Sequence, residues 1–144
     1  MSLEENKAVA RRWHADLYKA GRVEVADEIC SPDLRMHGTG VPSDVAAGTA
    51  FVKEDVAAYR GAFSFDYLND DDVIAEGDKV AIRWTFKGTN NGPMGDIPAS
   101  GKQVEVTGID IFRIEDGRIA EFWTELNMMS LMEQIGALPA GANA

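Results

Sequence analysis

The sequence has a single cysteine, Cys30, and two histidines, His14 and His37. One thiol excludes an internal disulfide and a cysteine zinc cluster, and two imidazoles make a histidine-rich metal site unexpected. Basic residues are scarce too: 14 Lys and Arg stand against 24 Asp and Glu, a formal net charge of −10. A surface that acidic repels phosphate backbones and anionic headgroups, so neither nucleic acid nor a membrane is an expected partner. No stretch approaches the roughly 18 consecutive apolar residues of a membrane span. The start, Met1-Ser2-Leu3-Glu4-Glu5, lacks the basic segment of a signal peptide. The expectation is a cytoplasmic chain with no metal and no organic cofactor.

What is present is the balance of a globular domain: 144 residues, 45% hydrophobic and 26% charged. A chain of that size can bury roughly 70% of its unfolded surface, enough for a core and an internal cavity. There is no repeat, low-complexity stretch or linker, so residues 1–138 read as one domain and 139–144 as a disordered tail.

Helical spacing comes first along the chain. Ser2 and Glu5 form a capping box ahead of a helix with Val9, Trp13 and Leu17 on one face, and Gly21 is its expected stop. A short second helix over 23–30 is ended by Ser31-Pro32-Asp33, a short strand over 34–37 is possible, and 38–48 reads as a surface loop. In the third helix Val52, Val56, Tyr59 and Phe63 make one buried stripe, with Thr49 as its cap. From Asp66 the period changes to two, predicting strands over 66–75, 79–88, 103–114 and 118–127. Glu76-Gly77-Asp78 and Glu115-Asp116-Gly117 are hairpin turns, making neighbouring strands antiparallel. Helical spacing returns over 128–135, where Met128, Met129 and Met132 pack the last helix against the sheet or a partner subunit, and it stops at Gly136. Helices followed by an antiparallel meander predict an α+β fold, with three N-terminal helices on one face of a curved sheet around one mostly apolar pocket.

One strand carries a parity change. Val104 and Val106 are apolar on even positions, Ile109 and Ile111 on odd ones, and Gly108 lies between them. A two-residue repeat changes parity only through an extra residue, so Gly108 is read as a β-bulge that bends the sheet.

The segments Val73-Ile-Ala-Glu-Gly-Asp-Lys-Val-Ala-Ile-Arg-Trp-Thr85 and Gly108-Ile-Asp-Ile-Phe-Arg-Ile-Glu-Asp-Gly-Arg-Ile-Ala-Glu-Phe-Trp123 closely resemble the SnoaL-like polyketide cyclase family. Ile97-Pro-Ala-Ser-Gly-Lys102 and Leu131-Met-Glu-Gln-Ile-Gly136 match as well, so the resemblance runs from Asn6 to Gly136. It implies a nuclear transport factor 2-like, cone-shaped α+β barrel that assembles as a dimer or tetramer. It also implies cyclisation by an intramolecular aldol reaction without metal or organic cofactor. The site positions differ. Where the cyclases carry a catalytic aspartate this chain has Thr124, and where they carry a histidine on the third strand of the meander it has Asp110. Phe122 and Asn90 likewise stand where many relatives have histidine.

Asp110 is the leading candidate for a base. One reading points it outward into solvent; the other puts it in the pocket, where desolvation would raise its proton affinity. Across the hairpin it lies opposite Thr124, so the acid would have moved one strand over. His37 matches a histidine frequent in the family after the second helix and is a candidate donor, the alternative being a loop-edge histidine bonded to backbone. His14 reads as a surface residue. Trp13, Tyr59, Phe63, Trp84, Phe86 and Phe122 are candidates to line a cavity for a flat ligand, or simply core. Glu121, Trp123 and Glu125 fall on the other face of the last strand, and Asp70-Asp71-Asp72 reads as solvated charge. The expected function is cofactor-independent acid–base chemistry, of isomerase or lyase type, on a small hydrophobic carbonyl-bearing metabolite. Asp110 would be the base, His37 a donor, and Thr124 a hydrogen-bonding partner of the substrate. Hydrolysis or hydroxylation in the same pocket, and ligand binding without turnover, are the alternatives. A homodimer, or a tetramer, is expected because the outer sheet face must be covered.

Overall fold

The computed structural model describes residues 2–42 and 48–138; the central part of the expected 38–48 loop and the expected 139–144 tail lie outside the described residues. Helix α1, Leu3–Arg12, opens on the predicted capping box: the Glu5 amide donates to Ser2 Oγ at 3.0 Å and the Ser2 amide to Glu5 Oε1 at 3.2 Å. It continues through a π-helical stretch, Trp13–Lys19, whose wider turn buries the neighbours Trp13 and His14 together with Leu17. Arg60 caps this end by donating to the carbonyls of Tyr18 and Lys19 at 2.7 and 2.6 Å. Gly21 follows with φ 72°, the left-handed conformation expected of a stop. Helix α2 is Val25–Ile29, and strand β1, Cys30–Gly38, begins earlier than the short strand read from the sequence. Helix α3, Gly48–Ala62, buries Val52 and Val56 as predicted, and Thr49 is its second residue rather than its cap.

The meander is β2 (Tyr67–Glu76), β3 (Lys79–Thr89), β4 (Gln103–Glu115) and β5 (Arg118–Leu126), followed by α4 (Met128–Gln134). These bounds lie within two residues of those predicted, because each strand is framed by a tight turn. The curved sheet has the order β1-β5-β4-β3-β2, with antiparallel neighbours except at one edge, where β1 pairs parallel to β5. The helices cover the inner face. There Val80, Ile82, Val106, Phe112 and Ile119 are buried among Trp13, Leu17, Val52 and Val56. Among the described residues no helix is long and apolar enough to cross a membrane.

The expected bulge at Gly108 is absent. Pairing runs without a break through Arg83↔Ile109, Trp84↔Gly108 and Thr85↔Thr107, and burial alternates along all of β4. The even positions face inward throughout, so Asp110 is buried while Ile109 and Ile111 are 50% and 37% exposed on the outer face. The apparent parity change records an apolar outer patch rather than an inserted residue. Glycine is needed at 108 for a different reason: the Trp84 indole lies across it, and a Cβ there would overlap the ring. True register shifts occur between Asp70 and Asp72 in β2 and beside Ala120 in β5. The first moves the inward set from Leu68 and Asp70 to Val73 and Ala75.

Candidate functional site

Between the helices and the inner sheet face lies a cavity of about 110 Å³, on the order of the ~150 Å³ apolar cavity that takes benzene. All six expected aromatics line it: Trp13, Tyr59, Phe63, Trp84, Phe86 and Phe122. Trp13 anchors the base, its ring centroid 4.4 Å from that of Phe122 and 5.9 Å from that of Phe112.

Asp110 reaches this cavity from β4, with its side chain 4% exposed. Of its two predicted environments, the pocket is the one observed. Its partner across the hairpin is Thr124, and the Thr124 hydroxyl donates to Asp110 Oδ1 at 2.7 Å. That contact places Thr124 beside the carboxylate as expected but commits its proton to Asp110 rather than to a ligand.

The second carboxylate oxygen is held by a residue that sequence reasoning missed. His14 Nε2 lies 2.7 Å from Asp110 Oδ2, and His14 Nδ1 lies 2.6 Å from Asp70 Oδ1. Burial works against a charged ring, but the hydrogen bonds to Asp110 and Asp70 outweigh it and raise His14 to about 9. At neutral pH the ring is therefore an imidazolium that donates from both nitrogens, with both carboxylates as acceptors. Flanking the Trp13 stripe, His14 is expected at the surface; the π-helical turn instead brings both side chains inward. Spacing offered a clue: Asn6, Ala10 and His14 repeat every four residues, and all three are buried. Asp70 was likewise not solvated charge. The shift at Asp71 points Asp70 inward, while Asp72 pairs with Arg83 outside at 2.7 Å.

His37 is not part of this constellation. On β1 it alternates with the inward Met36, so its ring lies on the opposite side of the strand from the cavity. There it stacks on Trp123 at a centroid distance of 5.4 Å and bonds Glu121 Oε2 at 2.6 Å. Glu121 resists burial, which raises its affinity for protons, through His37 and Arg113, and its carboxyl stays below the usual value. The expected donor role for His37 thus fails on geometry. Asn90, fully buried, is a structural clamp: it donates to the Ala62 and Gly92 carbonyls and accepts from the Ser100 amide.

A second polar group lines the cavity from the helical side. The Tyr18 hydroxyl donates to Asp55 Oδ2 at 2.7 Å, and Tyr59 follows Asp55 by one helical turn. Among the described residues no group of three or more His, Cys, Asp or Glu side chains is arranged to hold a metal ion.

Known proteins place this architecture. A search of curated proteins finds no match. TsrD from Streptomyces laurentii is 31% identical, with 96% of this chain and 99% of that one covered and a TM-score of 0.81. AclR from Streptomyces galilaeus, a proposed hydroxylase, is 25% identical over 96% of this chain and 85% of its own, with a TM-score of 0.79. An epoxide hydrolase of LEH-like type from M. tuberculosis shares the fold at 13% identity, covering 94% and 92% of the two chains, with a TM-score of 0.70. The SnoaL-like polyketide cyclase family model matches residues 8–135, a span that takes in His14, Asp70, Asp110 and Thr124, and the chain belongs to that family.

Proposed function

We propose that this protein is a cofactor-independent acid–base enzyme acting on a hydrophobic, carbonyl-bearing metabolite of polyketide or terpenoid type. The observation that carries this reading is the state of Asp110: a carboxylate in an apolar cavity, fixed by His14 on one oxygen and Thr124 on the other. Each carboxylate oxygen has a further lone pair, so Asp110 can still accept a proton from a ligand. A carbon next to a carbonyl gives up its proton to such a positioned base, leaving an enolate. One negative charge then passes from the Asp70–His14–Asp110 group to the enolate, and His14 keeps its proton throughout. The enolate goes on to cyclise, isomerise or lose water.

A probe ketone tests this directly. β-Tetralone is a flat, largely apolar ketone that carries exchangeable protons beside its carbonyl. In deuterated buffer the protein should catalyse its exchange, and Asp110→Asn should slow that exchange about 10²–10⁴-fold, the usual contribution of a positioned base. Wild-type exchange rates in Asp110→Asn would remove the base assignment. AclR supports a second reading, hydroxylation in the same pocket with dioxygen as the oxidant, or hydrolysis by water that the same carboxylate activates. That reading expects the probe to bind without exchanging.

We also propose that the chain works as a homodimer. Ile109, Ile111 and Trp123 form an apolar strip on the outer sheet face, flanked by Arg113, Glu121 and Glu125. A second copy of the same face would cover it isologously.

A further inference from the structure

The cavity has more polar equipment than a single base requires. Tyr18 and Tyr59 come from the two helical walls, and Asp55 lies on α3 with Tyr59, whereas Asp110 projects from the sheet. Asp55 Oδ2 accepts from Tyr18; Asp55 Oδ1 and the Tyr59 hydroxyl have no hydrogen-bond partner among the described residues. No lysine, arginine or histidine pairs with Asp55 among those residues, although burial lifts its carboxyl above the ordinary value while Tyr18 pulls it down. Burial and the neighbouring Asp55 likewise push Tyr59 up to about 12, so its phenol stays protonated and able to donate. Asp55 and Tyr59 are half-buried in the cavity wall, so the free carboxylate oxygen and the phenol are available to a bound polar group that displaces water.

We propose that Asp55 and Tyr59 form a subsite for a hydroxyl group of the ligand, positioned by Tyr18, so that the substrate bears an alcohol or phenol remote from the carbonyl processed at Asp110. A hydroxyl matches the pair because it donates to Asp55 Oδ1 and accepts from Tyr59 at once. A ligand carboxylate would face a like charge, and an ether or plain hydrocarbon would leave Asp55 unsatisfied. This inference deepens the reading of the cavity as an acid–base site and rests on it for the placement of the carbonyl.

Three ketones separate the two ideas: β-tetralone, its 6-hydroxy derivative and its 6-methoxy derivative, with affinities read from quenching of tryptophan fluorescence. Wild type should bind the hydroxy compound at least about tenfold more tightly than the methoxy one, as expected for a hydrogen bond to a charged acceptor. In Asp55→Leu the preference should fall to within about twofold, and in Tyr59→Phe it should fall part of the way. Tyr59→Phe removes one oxygen only, which keeps the test usable if Asp55→Leu fails to fold. A preference that survives in both variants, or is absent from wild type, overturns the subsite. Exchange at the carbonyl reports on Asp110 separately. Loss of the hydroxyl preference in Asp55→Leu and Tyr59→Phe, together with wild-type exchange rates in Asp110→Asn, would leave the subsite standing while the base assignment falls.

Discussion

His14 Nε2 and Asp110 Oδ2 lie 2.7 Å apart although 96 residues separate them in the chain, so the first helix supplies the group that holds the sheet's buried carboxylate. Asp70 completes the arrangement from the edge strand β2, two strands away. Removing the imidazolium leaves two carboxylates facing each other across an apolar gap. His14→Leu should therefore lose about 3–5 kcal/mol of stability in urea unfolding, as when one partner of a buried pair is deleted. Adding Asp110→Asn to His14→Leu should recover part of that loss. Two independent, additive losses would refute the coupling.

The same residue makes stability depend on alkaline pH. Folding raises His14 from an ordinary value of 6.5 to about 9. Its contribution is complete below the unfolded value and disappears as pH climbs through the folded one. Unfolding free energy should decline between about pH 6.5 and pH 9, and the decline should be missing from His14→Leu. A flat profile in wild type would show that His14 is neutral in the folded protein.

Thr124 should matter through Asp110 rather than through the ligand. Thr124→Val keeps the shape but leaves Asp110 Oδ1 without its donor, at a cost of about 1–3 kcal/mol. Exchange of β-tetralone should shift in its pH profile more than in its KM. A KM effect alone would mean that the hydroxyl contacts the ligand.

Gly108 is expected to resist any side chain. Gly108→Ala places a methyl group into the Trp84 indole and should destabilise by about 1–3 kcal/mol, the range for overpacking. The penalty should shrink in a Trp84→Phe background, measured by a double-mutant cycle in urea. Equal penalties in both backgrounds would place the strain elsewhere.

The proposed dimer is tested on the outer face. Wild type should scatter light as a dimer at micromolar concentration, and Ile109→Asp should scatter as a monomer, because the charge would be buried at the interface without a partner. A monomeric wild type would remove the proposal.

The fold was legible because its signals are local. Capping residues, the Val52-Val56-Tyr59-Phe63 stripe and the turns at Gly77 and Gly117 each act within a few positions of the chain. The pocket aromatics followed from the same stripes. The site was only half legible, because its key contacts join distant segments. Asp110 was found with both environments open, since alternation in β4 fits either face until the register with β3 and β5 is known. His14 was hidden by a helix that changes its winding at Trp13, and Asp70 by an irregularity at Asp71. The parity change in β4 marks an outer apolar patch, whereas the change from Leu68 to Val73 and Ala75 marks a real shift in β2. His37 was attractive by type and position in the chain, and a one-residue alternation in β1 sends it outward.

The parallel pairing of β1 with β5 also dictates an order of events during synthesis. β1 leaves the ribosome early but has no sheet partner until residues 118–126, which lie between it and β4, have been made. Until then β4 keeps an open edge and the inner face lacks one side, conditions that favour pairing with the wrong chain. Closing so long a loop is entropically slow, so the sheet cannot be completed before β5 has been made. A polypeptide released before Arg118 would lack both the internal β5 strand and the Thr124 contact to Asp110. It should accumulate as aggregate rather than as a smaller working domain.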